Sequence, residues 1–163
     1  MIVVADTSPL NYLIRIGQAD ILKSIYGSVV APPAVLVEMQ HSEAPDEVRS
    51  WAAAPPRWLQ EIPVQRVDES LPVELGAGER EAISLAMELR ADVLLIDEYA
   101  GRREAEARHL LVTGTLAVLL QGSLRGYLDL PNELERLKHI GFRVSRSVEA
   151  AILARHDRLK RQT

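Results

Sequence analysis

Two aspartates follow short apolar runs at positions that suit metal-assisted chemistry. Asp6 comes directly after Val-Val-Ala, and Asp97 comes directly after Val-Leu-Leu-Ile. In open α/β sheets ligands bind beyond the carboxyl ends of the strands, so an aspartate that ends a buried strand lies where a ligand would bind. A helical pattern follows each aspartate, so each is equally well explained as a helix N-cap. Asp6 is the stronger candidate, because Ser8 and Pro9 already predict the start of the next helix.

Two glutamates are further candidates, and each has an ordinary alternative. Glu38 is flanked by Val37 and Met39 in an apolar helical pattern, where packing explains a carboxylate poorly, although a surface position on a one-sided helix explains it equally well. Glu79 begins the helix after Gly-Ala-Gly, where the helix dipole favours an acid whatever its function. Carboxylates without cysteine or paired histidines form an oxygen-rich set, which favours Mg²⁺ or Mn²⁺ over zinc.

The histidines show no metal-binding spacing, and each is predicted to be a surface residue. They are His41, His109, His139 and His156. Two other site types are excluded by their missing residues. A phosphatase with an aspartate nucleophile needs a second acid where Ser8 stands, and the Gly-Ala-Gly turn lacks the lysine of a phosphate-binding loop.

Strand patterns alternate with helical patterns along the chain. Apolar runs predict buried strands at residues 2–5, 28–31, 92–96 and 110–114, and an irregular or edge strand at 59–65. Amphipathic spacing predicts helices between them and two more at 131–138 and 147–160, with Gly141 as the stop that separates these two. This alternation predicts an α/β fold with three α/β/α layers, a central and mostly parallel sheet, and additional C-terminal helices.

The charge is unevenly divided between the body of the chain and its C-terminal end. Residues 1–130 hold 11 basic and 19 acidic side chains, whereas residues 131–163 hold 8 basic and 4 acidic ones. A single domain at 1–130 with a basic helical extension at 131–163 packed on it is the predicted organisation. An acidic body concentrates cations, and a basic tail either contacts phosphates or is simply a solvated face.

The 163 residues contain no cysteine and no apolar run of membrane-spanning length, so a cytoplasmic protein with no membrane partner is expected.

Several segments together resemble the PIN-domain superfamily over about residues 2–125. They are VVADTSPL, VLVEM, LGAGEREAISLA, LLIDE and VTGTLAVLL. More narrowly, they resemble prokaryotic nucleases of the VapC-like toxin type. The resemblance implies that four acids are catalytic and hold one or two Mg²⁺ or Mn²⁺ ions, and these acids are Asp6, Glu38, Glu79 and Asp97. The third acid is commonly an aspartate in this superfamily and is a glutamate here.

The resemblance also implies secondary roles and an activity. Glu98 is a possible extra ligand, and Thr7 or Ser8 is a possible orienting hydroxyl. The implied activity is metal-dependent endoribonuclease hydrolysis of phosphodiester bonds in single-stranded RNA, by the toxin of a toxin–antitoxin pair that forms a homodimer and is inhibited by an antitoxin protein. The alternative is a catalytically decayed PIN-like scaffold that binds RNA or a protein partner.

Overall fold

Five short strands form one sheet in the computed structural model, which describes all 163 residues. In chain order they are β1 (Val3–Ala5), β2 (Val29–Ala31), β3 (Leu59–Glu61), β4 (Val93–Leu95) and β5 (Val112–Thr113). Neighbouring strands all pair in parallel, in the order β3-β2-β1-β4-β5. Every predicted strand is present, and β3 lies at an edge as its irregular pattern indicates.

Nine helices connect and extend these strands. They are α1 (Thr7–Arg15), α2 (Ile21–Tyr26), α3 (Pro33–Met39), α4 (Asp46–Ala53), α5 (Ala77–Glu88), α6 (Tyr99–Ala107), α7 (Thr115–Leu124), α8 (Leu130–His139) and α9 (Arg146–Lys160). The sequence pattern did not predict α2, because six residues that end at Gly27 are too few to show a helical period. The predicted α/β fold class is confirmed.

Burial of the central strands shows that both faces of the sheet are covered. Successive side chains of a strand point to opposite faces, and every residue of β1, β2 and β4 is buried. Leu94 of β4 and Ile96 just after this strand pack with Ile83 and Leu85 of α5 in one apolar cluster. This three-layer arrangement is typical of parallel sheets.

The first helix begins two residues earlier than its cap signal, Ser8 followed by Pro9, predicts. Ser8 was expected to be the N-cap, but α1 already begins at Thr7, and Asp6 occupies the N-cap position. The expectation was wrong because Asp6 has the extended backbone that an N-cap needs, at φ −82° and ψ 172°. The Asp6 side chain nevertheless makes no capping hydrogen bond.

The chain divides into two compact units, Met1–Thr115 and Leu116–Thr163. The first holds the whole sheet and α1 to α6, and the second holds α8, α9 and all but the first residue of α7. The predicted domain range of 1–130 with a packed extension at 131–163 stays a prediction. None of the helices is long and apolar enough to span a bilayer.

Two features of the second unit bear on the sequence predictions. Gly141 has φ +93°, a backbone conformation that favours glycine, and it separates α8 from α9 as predicted. The predicted surface position of His156 is wrong: it is only 5% exposed, and its Nε2 lies 2.8 Å from Ser123 Oγ. A helical surface pattern does not reveal such a buried pair, because the hydroxyl that satisfies the imidazole is 33 residues away.

The strand order identifies one place in the sheet as special. The chain runs from β1 to β2 and β3 on one side, and then returns to place β4 on the other side of β1. The point between β1 and β4 is therefore a topological switch point, where ligands bind beyond the carboxyl ends of the strands. Asp6 follows β1 and Asp97 closely follows β4, so both aspartates lie at this switch point.

Candidate active site

Asp6 is held at the end of β1 by the sheet itself. Its amide donates to the Leu95 carbonyl at 2.9 Å, which continues the β1–β4 pairing by one residue. The residue is 1% exposed, and its Oδ1 is buried without a hydrogen-bond partner. A buried carboxylate oxygen without a partner is unfavourable, so the fold leaves this atom in need of a ligand.

Glu38 connects α3 to the beginnings of two other helices. Its Oε2 accepts a hydrogen bond from Thr7 Oγ1 at 2.6 Å, and its Oε1 accepts one from the Gly78 amide at 2.8 Å. The Gly78 amide is one of the first-turn amides of α5 that have no partner inside their own helix. These two bonds hold the Glu38 carboxylate in a defined position.

Glu79 lies in the first turn of α5 and leaves one oxygen unsatisfied. Its Oε1 is 3.4 Å from the Gly76 amide, a long contact, and its Oε2 is buried without a partner. The Oε2 atom faces Gly101 of α6, where an added Cβ would lie only 2.5 Å away. Glycine at position 101 therefore makes room for this carboxylate.

Asp97 is held by the first residue of α7. Its Oδ1 accepts from the Thr115 amide and its Oδ2 accepts from Thr115 Oγ1, both at 2.7 Å. It is not the N-cap of the helix that follows it, since Glu98 occupies that position of α6. The carboxylate is instead oriented by a threonine 18 residues further along the chain.

The four acids interact electrostatically with one another. Burial raises the pKa of Asp6 to about 7, the Thr7 amide lowers it, and the negative charges of Glu79, Glu38 and Asp97 raise it. Burial is also the main reason that the pKa of Glu79 and that of Asp97 are raised. Mutual repulsion among desolvated carboxylates of this kind is relieved by a bound cation.

Comparison with known protein families shows what kind of domain carries this group of acids. The model of the family DUF3368, described as a PIN domain, matches residues 2–158. The chain belongs to the PIN-domain family. PIN domains are generally metal-dependent nucleases and typically use divalent metal ions. A comparison with curated proteins finds no match.

The acidic group of this PIN domain fits a hydrated divalent cation. All its donor atoms are oxygens, the type that hard cations prefer, and two of them, Asp6 Oδ1 and Glu79 Oε2, are buried without partners. No three acidic or histidine side chains are spaced as a preformed metal cluster. Mg²⁺ usually keeps several waters and is bound through one or two carboxylates, so an open arrangement suits it better than a closed cage would.

The remaining residues named from the PIN resemblance lie close to these acids along the chain. Glu98 is exposed at the N-cap of α6, and its charge raises the pKa of Glu79 and of Asp97. Thr7 donates to Glu38, and Ser8 lies in the first turn of α1.

Two residues at this edge were not found from the sequence. Thr115 orients Asp97, and its position directly after Val-Thr-Gly at the last strand is the signal that would have identified it. Arg102 of α6 donates from Nη1 to the Ile96 carbonyl at 3.1 Å, and its positive charge opposes the rise in the pKa of Asp97. Nothing distinguishes Arg102 from the other charged residues of its helix in the sequence.

Proposed function

We propose that this PIN domain is a divalent-metal-dependent endoribonuclease that hydrolyses phosphodiester bonds of single-stranded RNA. The proposed catalytic and metal-binding residues are Asp6, Glu38, Glu79 and Asp97. The observation that carries the proposal is the pair of buried, unpartnered oxygens on Asp6 and Glu79, within a group of acids at the switch point of the sheet. Mg²⁺ or Mn²⁺ is the proposed cofactor.

Each side chain has a distinct part in this proposal. Asp6 and Glu79 present free oxygens to the ion, while Glu38 and Asp97 are oriented by the hydroxyls of Thr7 and Thr115. A bound divalent cation supplies acidification of water and stabilisation of the charge that develops on the phosphoryl group. Without the cation the four carboxylates repel phosphate, so we expect both RNA binding and cleavage to depend on it.

The cellular role is proposed from the resemblance alone. We propose the toxin of a toxin–antitoxin pair, acting in the cytoplasm as a homodimer and inhibited by an antitoxin protein. Expression of the parent chain should then arrest growth, and expression of the Asp97→Asn variant should not. Equal growth with both chains would contradict the toxin role without touching the nuclease activity.

The direct test is cleavage of a mixed single-stranded RNA pool by purified protein in Mg²⁺ or Mn²⁺. We expect Asp6→Asn and Asp97→Asn each to lower the cleavage rate by about 100-fold or more, because each removes a proposed ligand. EDTA should abolish cleavage. Asp92→Asn is the matched control, since Asp92 is an exposed aspartate directly before β4, at the opposite end of the same strand.

Circular dichroism of each variant separates loss of activity from loss of fold. Cleavage that persists in EDTA would contradict the metal mechanism. The decayed scaffold would be supported if the folded parent cleaves no RNA with either ion and the Asp6→Asn and Asp97→Asn variants bind RNA as well as the parent does. Parallel reactions on single-stranded DNA test the choice of RNA.

A further inference from the structure

An aromatic ring is exposed close to Asp97, one of the four proposed catalytic acids. Tyr99 is the first residue of α6 and is 74% exposed. It follows Asp97 by two residues, so their α-carbons are at most about 7.6 Å apart. Because it is mostly exposed, the ring contributes little to the core. Its position next to a proposed catalytic carboxylate therefore needs another explanation.

Two arginines of the same helix flank this position. The guanidinium of Arg103 lies 5.8 Å from the centroid of the Tyr99 ring, a cation–π distance, and Arg103 is exposed and forms no salt bridge. Arg102 extends the other way, to the Ile96 carbonyl next to Asp97. The N-terminal half of α6 thus presents an aromatic ring together with a cation that forms no salt bridge.

This combination matches the way proteins bind single-stranded nucleic acid. Unpaired bases stack on aromatic side chains, and neighbouring cations contact the phosphates. We propose that Tyr99 and Arg103 form a subsite in which Tyr99 stacks on an unpaired base of the RNA and Arg103 contacts an adjacent phosphate. The inference rests on the proposed nuclease function and adds to it a physical reason for single-stranded substrates, because bases inside a duplex are already stacked on each other.

The subsite can be tested by binding without reliance on catalysis. Fluorescence anisotropy measures the Kd of a labelled ten-nucleotide RNA and of an abasic chain of equal length. Ca²⁺ is present to neutralise the four proposed catalytic acids, and gels confirm that the RNA stays intact. If Ca²⁺ supports cleavage, KM replaces Kd. The variants are Tyr99→Ala and Tyr99→Phe, with Tyr127→Ala as the matched control, since Tyr127 is a 52% exposed tyrosine in the second unit.

We expect Tyr99→Ala to raise the Kd for RNA by about 5- to 50-fold, in line with the loss of one base–aromatic stack. Tyr99→Phe should stay within about twofold, because phenylalanine retains the stacking face. Tyr127→Ala should leave the Kd unchanged. The parent and Tyr99→Ala should bind the abasic chain equally, which a general effect on folding or charge would not produce.

Two outcomes would overturn the subsite. An unchanged Kd for Tyr99→Ala would mean that the ring serves another contact, such as a protein partner. An equal loss on RNA and on the abasic chain would mean that the ring does not stack on a base. Failure of the nuclease proposal gives a different result. RNA binding that depends on Tyr99, with no cleavage in Mg²⁺ or Mn²⁺, would contradict the proposed hydrolysis and still support the subsite.

Discussion

At the scale of single residues, Asp6 shows how position decides chemistry. An aspartate at a helix N-cap normally gains a hydrogen bond from the first turn, but here the side chain makes none and is almost fully buried. Burial favours the neutral acid, which is why the pKa of Asp6 rises to about 7. Without a cation the residue therefore costs stability whenever it is ionised.

This cost gives the stability of the metal-free protein a defined pH dependence. The unfolded chain ionises Asp6 near pH 3.8 and the folded chain only near pH 7, so stability from the neutral acid is present below pH 3.8 and lost as pH rises to 7. Asp6→Asn cannot ionise. The difference in melting temperature between Asp6→Asn and the parent, both in EDTA, should therefore increase from pH 4 to pH 8. The increase should be roughly 2–4 °C for each kcal/mol of stability that the parent loses on ionisation of Asp6.

Calorimetric scans across this pH range measure the difference. Addition of Mn²⁺ at pH 8 should stabilise the parent and not the variant. Glu106→Gln, at an exposed position of α6, controls for the loss of one negative charge. A difference between Asp6→Asn and the parent that stays constant with pH would show that Asp6 is not held neutral by burial.

At the scale of elements, glycines let the helices bring their carboxylates together. α3 packs against α5 with Glu38 directly over Gly78, where an added Cβ would lie 2.5 Å from Oε2. α6 similarly places Gly101 against Glu79. The close approach of these helices is thus a requirement for the arrangement of the acids as well as for the core.

Gly78→Ala should therefore damage the site in spite of its helix propensity. Alanine favours a helix by about 1 kcal/mol over glycine, but here its methyl group must displace the Glu38 carboxylate. We expect the affinity for Mn²⁺ to fall by about 10-fold, measured by titration calorimetry.

Gly76→Ala is the matched control for this change. Its Cβ would lie at ordinary contact distances, 3.6 Å from Glu79 Oε1 and 3.7 Å from Glu38 Oε1, so the affinity should change by less than about threefold. Equal Mn²⁺ affinities for the parent and Gly78→Ala would mean that binding of the ion does not depend on the position of Glu38.

At the scale of the whole molecule, charge is separated along the chain. Residues 1–130 carry a net −8 and residues 131–163 a net +4. Arg155 and Arg158 of α9 and its C-cap residue Arg161 are exposed and form no salt bridge, and spacings of three residues place them on one face. The proposed binding of RNA by an acidic chain needs cations, and this face offers three.

Replacement of these three arginines by glutamine should weaken RNA binding in a salt-dependent way. Each phosphate contact on a single strand contributes about 0.7 to the slope of log K against log salt, so the slope should fall by about 2. The matched control replaces three exposed arginines of the first unit, namely Arg57, Arg66 and Arg90. Equal slopes for both triple variants would show that α9 is an ordinary solvated face.

The local pattern of the sequence determined the alternation of strands and helices and the positions of two aspartates. Runs such as Val-Leu-Leu-Ile predict buried strands by themselves, because apolar periodicity is a property of neighbouring residues, and an aspartate directly after such a run must lie at the end of a strand. The same patterns made Glu38 and Glu79 further candidates, and the resemblance to PIN domains then implied that both belong to the site.

Only the tertiary structure decided which contacts these residues make. The bond of Thr115 to Asp97, the packing of Gly78 on Glu38 and the burial of His156 against Ser123 each join residues 18 to 40 positions apart. No local period encodes such pairs, because their members lie on different elements that only the folded chain brings together. At the candidate site the Thr7 hydroxyl and the Gly78 amide both donate to Glu38, while Asp6 Oδ1 and Glu79 Oε2 have no donor.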